Sequence, residues 1–156
     1  MATRTLTTAL LISAASILAA CGGPQTTDEL LIGEWEMSEP VTITQGGQTI
    51  TMRDGEVEYN KDGTTEGEMV VQMGEMSFKI ESTGTYTLDG MTLTEKATTA
   101  EVTTDSSEGI AEQVRAALQN QVVNTPATST TITSITKDQL TVSDPTTNTV
   151  MVFERD

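Results

Sequence analysis

From Leu30 onward, apolar and polar residues alternate with a period of two in one short segment after another. That alternation puts successive side chains on opposite faces and marks half-buried strands, so the chain is committed to a sheet. Leu31, Gly33, Trp35 and Met37 share one face of the first segment, and Glu34 and Glu36 share the other. Val41 and Ile43 alternate with Thr42 and Thr44, Gly46-Gly47 supplies a turn, and Ile50 with Met52 returns. Val57 and Tyr59 alternate with Glu56 and Glu58 before Asn60-Lys61-Asp62-Gly63, a turn-forming run in which a calcium loop is disfavoured by Lys61 and by the missing bidentate glutamate. Strands are expected at about 65–73 and 75–82, with Gly74 between them and with Met76, Phe78 and Ile80 facing in. The clearest hairpin is Thr85 to Leu88, Asp89-Gly90, then Met91 to Thr94, because Asp-Gly suits a type I′ turn.

One segment breaks the rhythm. Asp105-Ser106-Ser107-Glu108 has capping-box spacing, and Ile110, Val114, Ala117, Leu118 and Val122 come after it at helical intervals, which predicts one helix over 107–122. Its apolar stripe is expected to pack on the sheet or to serve as a lid or docking surface. Strands resume at about 129–136, 139–143 and 148–154. Eight to ten strands in meander order would present exposed edges unless the sheet closed on itself. The expected fold is therefore mainly β, an up-and-down antiparallel barrel with one helix, and a two-sheet sandwich is the alternative.

The first thirty residues carry a different message. Arg4 is the sole charge of a short basic start, an apolar stretch runs from Ala9 to Ala20, and Leu18-Ala19-Ala20-Cys21-Gly22 reads as a bacterial lipobox. A dozen apolar residues are too few for a permanent spanning helix, which needs about 20. Residues 1–20 are expected to be a removable lipoprotein signal, 21–29 a tether lipidated on Cys21, and 30–156 the folded domain. Cys21 is the only cysteine, so no internal disulfide is expected and packing must hold the fold. The N-terminal lipid would attach the protein to a membrane, and the expected location is the bacterial cell envelope, on the outer membrane facing the periplasm or the exterior.

A formal charge of −15 disfavours nucleic acid as a partner. The absence of histidine removes Ser-His-Asp triads, Cys-His pairs and imidazole metal sites. With 23 acidic residues, proximity of two carboxylates identifies nothing, and Glu34, Glu36, Glu56, Glu58 and Glu81 alternate outward as a solvated face. No catalytic residue and no cofactor are expected. Met69, Met73 and Met76 are weak copper(I) candidates through their soft thioethers, and core filling explains them better.

Gly33-Glu34-Trp35 resembles the Gly-x-Trp signature of lipocalins, and Phe153-Glu154-Arg155 is similar to the last strand of small bacterial lipocalin-like lipoproteins. The resemblance implies a barrel whose floor is closed by Arg155 stacking on Trp35, and the parity of both strands permits that contact. The Thr-Asp-Tyr pattern and the disulfide of lipocalins are missing. Such a barrel would hold a small apolar ligand, with Met37, Tyr59, Phe78 and Tyr86 among the candidate lining residues together with Leu88, Leu93, Leu140 and Phe153. The alternative is a filled barrel that meets an envelope protein partner through its surface as a structural or interaction module.

Overall fold

A computed structural model of the protein describes residues 25–45, 47–105 and 109–155. The elements run α1 (Thr27–Leu31), β1 (Gly33–Met37), β2 (Val41–Gln45), β3 (Gln48–Tyr59), β4 (Thr64–Met73), β5 (Met76–Asp89), β6 (Thr92–Thr104), α2 (Gly109–Asn124), β7 (Thr128–Ile135), β8 (Gln139–Asp144) and β9 (Thr149–Arg155). From β3 to β9 each strand pairs antiparallel with the next, β9 pairs with β1, and β1 pairs with β3. The ring is closed: an up-and-down antiparallel barrel of eight strands, and not a sandwich. β2 adds no further stave because it continues the line of β1. β1 lies beside Glu56 to Tyr59 of β3, and β2 beside Gln48 to Met52. Pro40, in the gap between them, has no amide hydrogen to give to a ladder.

Barrel closure needs curvature, and three bulges supply it. The register shifts between Met52 and Asp54 on β3, between Ile132 and Ser134 on β7, and between Thr83 and Gly84 where β5 meets β6. The extra residues are Arg53, Thr133 and Thr98, and each flips the parity of the strand residues beyond it. Leu93, Glu95 and Ala97 face inward below the bulge of β6, and Ala100 and Val102 face inward above it.

Two helices are present where one was expected. α1 occupies part of the segment expected to be tether, and Thr26 and Glu29 form a reciprocal capping box at its start. Leu31 is therefore the last residue of a helix and not the first of a strand, although its side chain is fully buried. α2 packs on β6 and β5. It covers the upper part of β6, because β7 pairs only with Thr92 to Glu95 of that strand. The face turned to the sheet is only part of the expected stripe: Val114, Leu118 and Val122 are half-buried, but Ala111 is the buried residue, Ala117 is exposed and Ile110 is 65% exposed. Alanine at 111 lets the helix approach closely, and Arg115 reaches the Val102 carbonyl at 3.4 Å. Residues 106–108 of the expected cap lie outside the described residues. No helix among the described residues is long and apolar enough to cross a membrane.

Among the described residues, most of the buried side chains fall in one cluster, with Met37, Val41 and four others buried apart from it. Leu31, Trp35, Tyr59, Leu93, Ile132, Leu140 and Val142 cluster at one end, with Tyr86, Leu88, Met151 and Phe153 packed against them. Val71, Phe78, Val102 and Ala111 are also buried outside that cluster, Phe78 and Val102 on the two strands against which α2 packs. Full burial of one large apolar side chain stabilises by about 1.5–3 kcal/mol.

Candidate ligand cavity

The floor of the barrel is set by Trp35 and Arg155. They are register partners on β1 and β9, and the guanidinium carbon lies 4.2 Å from the centroid of the indole. Trp35 Nε1 donates to the Leu31 carbonyl at 2.8 Å, which ties α1 to the floor. Arg155 donates to the carbonyls of Lys137 at 2.7 Å, Ile32 at 2.8 Å, and Leu30. It thereby ties the end of α1 to the turn between β7 and β8. Gly33 is required beside it: its φ is +122°, and a Cβ there would stand 2.5 Å from Arg155 Nη1.

Above the floor is a cavity of about 420 Å³, within the usual range for small-molecule sites. It exists because inward positions of adjacent strands carry little or no side chain. Gly55, Gly67, Ser82 and Ala97 line it, and each lies on the inward face of β3, β4, β5 or β6 by its register. Met37, Met69, Ile80, Val142, Met151 and Phe153 supply apolar walls, and Val122, Thr125 and Pro126 close one side from the end of α2.

Among the polar residues of the lining, Glu95 is on the inward face of β6. Tyr59 donates its phenol hydrogen to Glu95 Oε1 at 2.9 Å, and both line the cavity. Burial pushes the Glu95 carboxyl above its ordinary value of 4.5, and the bond from Tyr59 opposes that rise. Burial also raises the Tyr59 phenol well above 10.0, reinforced by the charge of Glu95. Tyr59 packs edge-on against Tyr86, with ring centroids 5.1 Å apart. A carboxyl whose folded pKa is raised favours the fold most below its unfolded pKa, and that contribution is lost as pH rises through the folded value. Glu95→Gln is accordingly expected to raise the melting temperature at about pH 7 and to give no gain at about pH 3, below the ordinary carboxyl range, where both states are largely protonated. Thermal denaturation at the two pH values checks this.

Of the residues expected from the sequence to line a cavity, Met37, Tyr59, Leu93 and Phe153 do so. Tyr86, Leu88 and Leu140 belong to the floor packing, below the open space, and Phe78 is buried elsewhere on the inner face of β5. Met69 lines the cavity, and Met73 and Met76 face each other across the β4–β5 turn. Asn60 to Gly63 is a plain turn. Asp62 Oδ1 accepts from the Thr64 amide at 3.0 Å and the Thr64 hydroxyl at 2.6 Å, bonds that hold its carboxyl below the usual range. Glu34, Glu36, Glu56, Glu58 and Glu81 are exposed, as is Glu68. Lys79 bridges Glu68 and Glu81 at 2.9 Å each. Cys21 lies outside the described residues.

Glu95 and the small inward residues were not singled out from the sequence. The readable signal was the parity of Gly55 and Gly67 within strands, since a glycine facing inward leaves space. No protein-family model matches the sequence, and no curated protein does.

Proposed function

We propose that the protein is a lipid-anchored lipoprotein of a bacterial cell envelope, similar to lipocalin-like lipoproteins, whose barrel binds a small and largely apolar ligand without catalysing a reaction. The cavity carries this reading: four small residues at inward positions keep open a space that a barrel built only for stability would fill. Lipid on Cys21 would hold the barrel at the membrane, the source of apolar ligands, and the outer membrane facing the periplasm or the exterior is the proposed site. An up-and-down barrel suits this role, because a closed ring of strands can enclose one small ligand.

Filling the cavity tests the proposal. Ala97→Leu places an isobutyl group into the open space, so it is expected to lower affinity for the neutral dye N-phenyl-1-naphthylamine by at least about tenfold while leaving the melting temperature unchanged or higher. Fluorescence titration of the chain from residue 22 on, which retains every described element, measures the first, and thermal denaturation the second. Equal dye binding by both proteins would refute a barrel ligand site.

A further inference from the structure

Building on the binding role proposed above, we infer that the ligand is an organic cation, a protonated amine on an apolar body, whose ammonium is held by Glu95 and Thr130. Three observations converge. Thr130 lines the cavity, and its Oγ1 is buried with no hydrogen-bond partner among the described residues. A buried hydroxyl left unbonded costs about 1–3 kcal/mol, so Thr130 offers a bonding group to whatever occupies the cavity. Glu95 uses Oε1 to accept from Tyr59, which leaves its other oxygen available to a donor in the cavity. Register then places the two together. Glu95 lies opposite Thr128, and Leu93 opposite Thr130, so Glu95 and Thr130 are diagonal neighbours on one face, about 7–8 Å apart along the backbone. Thr128 lines the cavity between them.

The chemistry of this corner selects the head group. A carboxylate oxygen accepts only, both threonine hydroxyls can accept as well as donate, and the Tyr59 phenol is already committed to Glu95, so acceptors outnumber donors in this corner. An ammonium brings three donors and a charge that compensates an enclosed carboxylate. The other charged residues around the cavity do not provide that compensation. Glu56 and Glu68 are negative and exposed, and Lys96 pairs with exposed Thr85 on the outward parity of β6. An anionic amphiphile would meet repulsion at Glu95, and the neutral threonine hydroxyls, which can also donate, bring no positive charge to offset it. The apolar body would lie against Met37, Met69, Ile80 and Phe153.

The test is displacement of N-phenyl-1-naphthylamine from the chain beginning at residue 22 by decylamine, decanol and decanoate, for the wild type, Glu95→Gln and Thr130→Val. Decylamine is expected to bind about 10- to 100-fold more tightly than decanol, and decanoate most weakly. Glu95→Gln should bring decylamine down to the level of decanol, and Thr130→Val should weaken it by about 2- to 10-fold. The wild-type ranking stands even if a variant misfolds. Equal affinities for the three compounds would overturn the cationic ligand while leaving an apolar binding site, and so would an unchanged preference in a folded Glu95→Gln protein. Absence of dye binding would overturn both.

Discussion

Replacing Trp35 with alanine is expected to destabilise the protein by about 3–5 kcal/mol, the largest effect of any single change at the floor. The indole is fully buried, so its loss removes a large apolar group and leaves a cavity. It also frees the Leu31 carbonyl that Nε1 holds at 2.8 Å, and with it the hold on α1. Arg155 then loses the ring on which its guanidinium lies. A cation–π contact of this kind contributes about 0.5–2 kcal/mol, so Trp35→Ala and Arg155→Ala should be non-additive by that amount in a double-mutant cycle read by chemical denaturation. Strict additivity would mean that the stacking contributes nothing. Arg155→Ala by itself strips a donor from the carbonyls of Leu30, Ile32 and Lys137, which makes it a packing and hydrogen-bonding loss as much as a loss of charge.

Phe78→Ala is expected to cost about 3–5 kcal/mol as well, with no direct loss of ligand contact. Phe78 is fully buried, opposite Val71 on β4 and one strand from Val102, on one of the two strands against which α2 packs. It shares its parity with Ile80, which does line the cavity. The two positions differ in height along β5 and not in face. In folded Phe78→Ala protein the affinity for N-phenyl-1-naphthylamine should stay within about twofold of wild type, whereas its denaturation midpoint should fall sharply. A large loss of affinity at unchanged stability would place Phe78 in the ligand site instead.

That difference shows what period-two patterning makes legible. Alternation told which side of each strand is buried, so Trp35, Met37, Tyr59, Phe78, Leu93 and Leu140 were all read as inward, and the hairpin turns at Asn60 to Gly63 and Asp89-Gly90 ordered the strands. Height along the barrel axis has no such signature, and it separates residues of the floor, the cavity and the region under α2. β6 runs on to Thr104, but Glu95 to Thr104 is so rich in threonine and charge that no apolar alternation marks it, and Glu95 passed unnoticed for that reason. Bulges at Arg53, Thr98 and Thr133 depend on closure of the ring, which is a property of the whole sheet. The face α2 presents differs from the expected stripe at Ile110 and Ala117, because the spacing of its apolar residues admits two neighbouring stripes and the small side chain of Ala111 allows a close approach. α1 escaped notice because a five-residue helix has no periodicity to detect, although Thr26 and Glu29 hold the capping-box spacing.

The measurement that tests the central claim most directly is native mass spectrometry of the protein released from the envelope of its own cells, compared with the same protein after denaturing extraction. A discrete bound mass that disappears on denaturation is the expected result, and its exact mass would show whether the occupant carries an amine. A single unliganded mass at every charge state would contradict a ligand-holding barrel, and would favour one that acts through its surface on a protein partner.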